Sequence, residues 1–590
     1  MASVRRMLRN PLFFVVTLVM GWFIIAFLVM PNVSVLQAVF VDRTGSPSFR
    51  AVERLLDSHR AVDALRNSFL LAAVLSVTVN VLGIFIVLAT RFYAIRGARL
   101  LWLGYATTLI YSGIVMVSGY RTVYGPTGVV TRIIRSVIPG LDPNWFTGAG
   151  AVIFVLTISS TGYHLLFLST AMSRIDLQTV EAARLMGASD WRILRSVVMP
   201  VLKPIVYAIT ILTFLAGLSA LAAPQILGRG DFATIAPMIL TFANSPTSRD
   251  LAATLAIVLG LSTIALLTIF NRLERNGLYF SVSKVSAHLT KQPIHNRAAN
   301  VAVHATAYLV FVVYVLPPAL IVLYSFTDAK AINSGKISWG SVTFDNYLEV
   351  LTQERGYRPF LISMGYGAVT AVAVLIAMLV TARMIQRYRN PLTAAMEYLL
   401  HLPWILPSTM IALGMILTFD RPQPVVGWQV LTGTVALLAV AYISVKLPFT
   451  FRLLKAAFAG VPDNLEDAAT LLGARPTYTF RKVLIPLVLP TAAAVSALTF
   501  NSLLDEYDLA AFLAHPIYQP LGMVIKQATS GETVTDETAH TFVYTTLLML
   551  IAGLTMWLVY GRTGSRRPPP TATPNRERPR RAEPDPMEVL

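Results

Sequence analysis

Runs of about twenty mostly apolar residues, separated by short polar stretches, recur along the whole chain. Crossing ~30 Å of hydrocarbon takes about 20 such residues. Six runs fall in the first half, near 11–31, 67–90, 100–120, 149–171, 197–228 and 251–270, and six more near 303–326, 361–382, 392–419, 429–449, 484–512 and 540–560. The pattern predicts an all-α polytopic membrane protein with about twelve transmembrane helices. The fifth run of each half is long and carries Pro and Gly, which predicts a kink or a partly interfacial segment. Arg5, Arg6 and Arg9 flank the first run as in a signal peptide, but its length of ~20 residues and the lack of a small-residue cleavage site predict a retained helix.

Composition agrees. Only 13% of the 590 residues are charged, about half the ~25% of a soluble protein. There is no cysteine, which removes disulfides, thiolate metal sites, iron–sulfur clusters and cysteine nucleophiles. The net charge of +18 is explained by its placement. With the N-terminus in the cytoplasm, cytoplasmic segments hold 31 Lys and Arg against 16 on the other side, which is the bias that orients membrane proteins. The excess reads as a topology signal and an attraction to membrane lipid, with no nucleic-acid partner, and both termini are expected in the cytoplasm. From about Gly564 to Leu590 the chain is rich in Pro and Arg without apolar periodicity. That stretch is expected to be a disordered cytoplasmic extension, with a regulatory partner as the alternative.

The two halves share a repeat. Glu181–Pro204 reads EAARLMGASDWRILRSVVMPVLKP and Asp467–Pro490 reads DAATLLGARPTYTFRKVLIPLVLP. At an offset of 286, nine of 24 positions are identical, among them Ala182/Ala468, Ala183/Ala469, Gly187/Gly473, Arg195/Arg481 and Pro200/Pro486. Each copy lies between the fourth and fifth apolar runs of its half. Each predicts a short helix with an acid near its N-terminal dipole, a Gly that ends the helix and redirects the chain, then a helix entering the membrane. An amphipathic connector on the bilayer surface is the alternative, and two copies in register weigh against it.

These segments resemble the EAA loop of binding-protein-dependent ABC importer permeases of type I. The resemblance implies two tandem six-helix permease units: residues 1–272 with a loop at 173–200, a cytoplasmic linker at 273–300, and residues 301–562 with a loop at 459–486, followed by the 563–590 tail. It also implies that Glu181, Ala182, Ala183 and Gly187, with Asp467, Ala468, Ala469 and Gly473, contact the ATPase. Asp467 replaces the usual Glu and Glu466 precedes it, so either acid is a candidate for the contact. Two loops imply two ATPase subunits, and the family implies an extracytoplasmic solute-binding protein and a bacterial inner membrane. Sugar permeases of the family usually place Asp before the Gly, where this chain has Met186 and Leu472. LMGAS, LLGAR, the segment Ala223–Ile239 (APQILGRGDFATIAPMI) and Phe344–Leu351 (FDNYLEVL) are similar to the iron(III), polyamine, thiamine and phosphonate group, leaving the solute open among those.

No GxxxxGK[ST] phosphate loop occurs, so ATP and Mg²⁺ are expected on a partner, with no cofactor on this chain and no enzymatic chemistry of its own. Charges inside a membrane mark function by default. The strongest cluster is Asp505, Glu506, Tyr507 and Asp508, near the outer end of the eleventh run; the repeat places Ser219, Ala220, Leu221 and Ala222 opposite. These four either line the translocation path, tilting it towards iron(III) or another small cationic or polar solute, or border the outer interface. Consecutive acids cannot all face one lumen. Glu397 and Lys446 are expected to snorkel or pack near the cytoplasmic ends of their runs, and His164 and His401 to be satisfied within helix packing. Gly125–Gly140 is a weaker amphipathic segment for the membrane surface or a binding protein. A gradient-driven secondary transporter with 6+6 repeats is the competing reading.

Overall fold

The computed structural model describes residues 2–561 apart from 43–44, 112, 173–174, 278–289, 335–337, 463 and 532–534. The expected tail at 563–590 and the middle of the expected linker lie outside those residues. Among the described residues the chain is helical and forms only isolated β-bridges. Among the described residues ten helices are long and apolar enough to cross a membrane, and two bent pairs bring the number to twelve if each is counted as one span.

The first half contains α1 (Pro11–Phe40), α2 (His59–Phe92), the bent pair α3 (Ala98–Leu109) and α4 (Gly113–Tyr124), then α5 (Gly148–Met172), the short α6 (Leu177–Leu185), α7 (Asp190–Leu218) and α8 (Arg249–Ile269). The second repeats the order with α9 (Arg297–Ser325), α10 (Glu354–Arg387), the bent pair α11 (Pro391–Ile405) and α12 (Ser408–Phe419), then α13 (Val435–Ala459), α14 (Asn464–Leu471), α15 (Pro476–Leu504) and α16 (Thr538–Val559).

Two expected rods are therefore broken. The run at 392–419 bends by 108° at Leu406–Pro407, because a residue before Pro is pushed out of the helical region, and Leu406 is extended (φ −92°, ψ 140°). The run at 100–120 bends by 117° before Gly113, whose φ is +55°. The fifth and eleventh helices end earlier than expected, at Leu218 and Leu504.

The repeat extends to helical detail. α7 begins with a turn at Asp190–Ile193, passes through a π-turn at Leu194–Val198 and continues to Leu218; α15 does the same at Pro476–Thr479, Phe480–Leu484 and onward to Leu504. Every bound differs by 286. Pro200 and Pro486 each stand two residues past the π-turn. A Pro removes an N–H and crowds the carbonyl four residues back, and widening the preceding turn relieves both. The same arrangement, Ile24–Val29 followed by Pro31, bends α1.

The halves are interlocked rather than side by side. α9, the first helix of the second half, packs on α3 and α4, while the C-terminal part of α1 packs on α12. Small residues allow the close approach: a Cβ on Gly104 would fall 2.3 Å from the Phe311 ring, and one on Gly414 would fall 2.7 Å from the Pro31 carbonyl oxygen. Buried hydroxyls cross the same seam, from Tyr105 to the Ala307 carbonyl (2.7 Å) and between Thr161 and Tyr314 (2.7 Å). The largest apolar core joins Leu71, Val115 and Ile158 of the first half to Tyr314, Leu504 and Val543 of the second.

Candidate functional site: twin loops and a central cavity

In the first loop the Asp176 carboxylate accepts from the Gln178 N–H (3.0 Å) and caps α6, and Val180 is buried among Val87, Phe92, Leu168 and Ile193. Gly187 ends the helix at φ +80°. Its N–H donates to the Arg184 carbonyl (2.9 Å) and the Ala188 N–H to the Ala183 carbonyl (3.0 Å). In the second loop Gly473 has φ +79°, with bonds from Gly473 to Thr470 (2.9 Å) and Ala474 to Ala469 (3.0 Å). This paired closure in the left-handed region satisfies carbonyls that a helix end otherwise leaves open.

What the two turns present is apolar. Leu185 is 89% and Met186 82% exposed at the first tip, and Leu471 and Leu472 are each 88% exposed at the second. Glu181, Ala182, Asp467 and Ala468 are also exposed, and Ala183 and Ala469 are half-buried. Both tips lie on one face of the bundle. The segment entering α9 touches the first loop, where Gln292 accepts from Arg184 (2.8 Å) and His295 meets Asp190 (3.0 Å). Two crossings later the end of α10 touches the second, through Arg383 and Arg387.

Glu466 differs from the other loop residues. It turns inward, 12% exposed, bound by Arg383 and by Arg387 (2.9 Å). Its repeat partner is the buried Val180, so this position faces the body in both halves, and Asp467, partner of Glu181, faces out.

Between the halves lies a cavity of about 740 Å³. Its lining follows the repeat: Leu212 with Leu498 and Tyr163 with Phe449 are apolar pairs at the 286 offset. Three more pairs are unlike: Leu215 with Asn501, Ala216 with Ser502, and Ser219 with Asp505. Lys446 joins the polar side, and Ser160 holds its position in the first half.

Of the four residues expected either to line a path or to border the outer interface, Asp505 alone lines this cavity among the described residues. Glu506 accepts from the Leu509 (2.9 Å) and Ala510 (3.4 Å) N–H groups. Tyr507 is buried and donates to Gln225 of the other half, and Asp508 is half-buried away from the lining. Lys446 corrects a further expectation: it stands in the middle of α13 at the cavity, not at a membrane surface. Cavity polarity replaces the water its ammonium would otherwise lack. Apolar periodicity could not reveal this, but the 286 register pairs Lys446 with a serine and so carried a signal. Glu397 is held by Lys455. His164 is buried against Gly83 and bonds Asn80 (3.2 Å), and His401 bonds the Glu397 carbonyl (2.7 Å). The Gly125–Gly140 segment forms a helix at Val129–Val137 with Ile133 and Val137 exposed.

Comparison with known proteins places the chain in a family. The family described as "Binding-protein-dependent transport system inner membrane component" matches residues 1–276 and 373–561. A probable ABC transporter permease protein, y4fN, of Sinorhizobium fredii is 36% identical over 553 residues, covering 94% of this chain and 96% of the relative. The ferric transport system permease protein FbpB of Actinobacillus pleuropneumoniae is 22% identical, covering 82% and 69%. A putative 2-aminoethylphosphonate transport system permease protein, PhnV, of Salmonella typhimurium is 23% identical, covering 43% of this chain and 92% of its own. None of these points to a gradient-driven transporter. The chain belongs to the binding-protein-dependent transport system inner membrane component family, as a multi-pass permease subunit of an ABC importer built from two fused repeats.

Proposed function

We propose that Leu185–Gly187 and Leu471–Gly473 are the two handles by which a pair of separate ATPase subunits drives this permease. The carrying observation is the duplicated turn: two exposed apolar tips, closed by the same hydrogen bonds, on one face of the bundle. Exposed apolar side chains at matched positions are what a docking surface needs. Ala182, Ala183, Ala468 and Ala469 let the partner approach closely, and Glu181 and Asp467 supply the outward acids. ATP and Mg²⁺ are bound by the partners, this chain catalyses no covalent step, and both termini face the cytoplasm. A solute-binding protein delivers to the opposite face, and the cavity passes a small polar or cationic solute when the halves rock as rigid bodies. Relatives named for ferric ion and for 2-aminoethylphosphonate frame that solute class. Residues 1–272 and 301–562 are the two permease units.

The test is Gly187→Val with Gly473→Val. No atom lies within 4 Å of an added Cβ at either position, so the cost is backbone strain alone, about 1–2 kcal/mol per site. ATPase co-purification should fall at least tenfold, with the thermal melting of the permease within a few degrees of wild type. Undiminished co-purification would refute the handle assignment.

A further inference from the structure

The central cavity has a symmetric frame and an asymmetric chemistry. Five pairs of lining residues match at the 286 offset, yet the charged and amide side chains, Lys446, Asn501 and Asp505, all belong to the second half. Their first-half counterparts are Ser160, Leu215 and Ser219. Lys446 and Asp505 bear opposite charges, and both line the cavity. Yet among the described residues neither makes an ion pair with any side chain. Glu506 is engaged with backbone N–H groups at the next turn, which leaves Asp505 as the carboxylate at the cavity wall. A cation and an anion that face one cavity without closing on each other form a dipolar surface.

We infer that this wall is a binding station for a small zwitterion. The Lys446 ammonium takes the solute's oxyanion, the Asp505 carboxylate takes its ammonium group, and the Asn501 amide bonds whichever end reaches it. A bare cation would meet Lys446 as a like charge, and a bare anion would meet Asp505, so each would match only one half of the wall. The volume of about 740 Å³ is that of a small-molecule site. The first-half wall carries no charge, which gives the solute one orientation. The inference rests on the permease reading and narrows its solute from "small polar or cationic" to dipolar.

Equilibrium binding to the permease, purified with its ATPase subunits into lipid nanodiscs, tests this. The probes are radiolabelled 2-aminoethylphosphonate and β-alanine, with ethylphosphonate, ethylamine and ferric citrate as competitors. At least one zwitterion should bind saturably, and the three competitors should be at least tenfold weaker. Lys446→Gln and Asp505→Asn should each weaken the zwitterion at least tenfold, while Lys446→Arg and Asp505→Glu retain it. Thermal melting of every variant separates lost recognition from lost folding. Ethylamine or ferric citrate binding as well as the zwitterions, with Lys446→Gln neutral, would overturn the inference in favour of a cation path. Ethylphosphonate binding equally, with Asp505→Asn neutral, would overturn it in favour of an anion path. Absence of saturable binding by any probe also overturns it. Failure of the ATPase subunits to co-purify would count against the handle proposal instead, and the same probes and variants then read the inference on the permease alone in nanodiscs.

Discussion

Glu466 and Asp467 are adjacent acids with opposite orientations, and the difference is one residue of helical rotation. A step of ~100° along a helix carries a side chain from the exposed face to the packed one. In the first half Val180 fills the packed position with apolar contacts; in the second the same position holds a carboxylate clasped by Arg383 and Arg387. Arg383 is 8% exposed and lies over the Phe458 ring at 6.0 Å, so its charge has little water to fall back on. Glu466→Gln should therefore destabilise the second half by roughly 2–4 kcal/mol, read as a fall in the melting temperature of the purified protein, with part of the loss recovered by Arg383→Met. Asp467→Asn should leave melting unchanged and reduce ATPase association. Wild-type melting for Glu466→Gln together with lost ATPase binding would reverse the two roles. The register was legible in the sequence, since Asp467 aligns with Glu181. The inward turn of Glu466 was not, because Arg383 and Arg387 are about 80 positions away and no periodicity links them to the loop.

The two loops have the same backbone and different braces. The second is held by α10 through Glu466. The first is held by the chain on its way into the second half: Gln292 donates its N–H to the Phe92 carbonyl (2.8 Å) and accepts from the Ala94 N–H (2.9 Å). Its side-chain oxygen takes a bond from Arg184 (2.8 Å), while Asp190 receives both Arg184 (3.3 Å) and His295 (3.0 Å). The repeat offers no counterpart, since Thr470 and Pro476 occupy the positions of Arg184 and Asp190. Asp190→Ala removes two partly exposed contacts, about 1 kcal/mol together. Hydrogen exchange across Leu177–Leu185 should quicken roughly fivefold, with Asn464–Leu471 unchanged. An equal change in both loops, or none, would show that the linker does not brace the first. Here the sequence was readable at the level of elements: the short helix, the Gly stop and the membrane-entering helix are all where the repeat put them. Leu406–Pro407 held a signal for the break in the ninth run, which the apolar pattern alone reads as one continuous span. The bend at Gly113 and the brace at Gln292 were hidden, the first because Gly is common within membrane helices, the second because its partners are far apart in sequence.

At the scale of the molecule, each half lends its first helix to the other. Apolar runs in sequence order cannot disclose this, because lipid and a neighbouring helix accept the same residues; contact between membrane helices is decided by close packing and a few buried polar bonds. Both are present at the two seams. Phe311 sits over Gly104 and Ile321 over Gly119, while Pro31 lies against Gly414. Tyr120 reaches the Val313 carbonyl (3.1 Å) and Thr418 bonds Ser34 (2.8 Å). Separating the halves would strip α9 from α3 and α4, and α1 from α12, and would open the core that holds Tyr314 with Leu504. The linker is thus unnecessary for cohesion once the chain has folded. A protease site inserted between residues 278 and 289 and cut after purification should leave both fragments in one gel-filtration peak, still carrying any bound ATPase. Gly104→Leu with Gly414→Leu forces side chains into seams that have no room, at about 1–3 kcal/mol or more each. The cut protein bearing both changes should then separate at detergent concentrations that leave the cut wild type whole. Separation of the cut wild-type fragments would mean that the exchanged helices contribute little. The halves would then be two units joined by a tether, and rocking about a shared core would lose its mechanical basis.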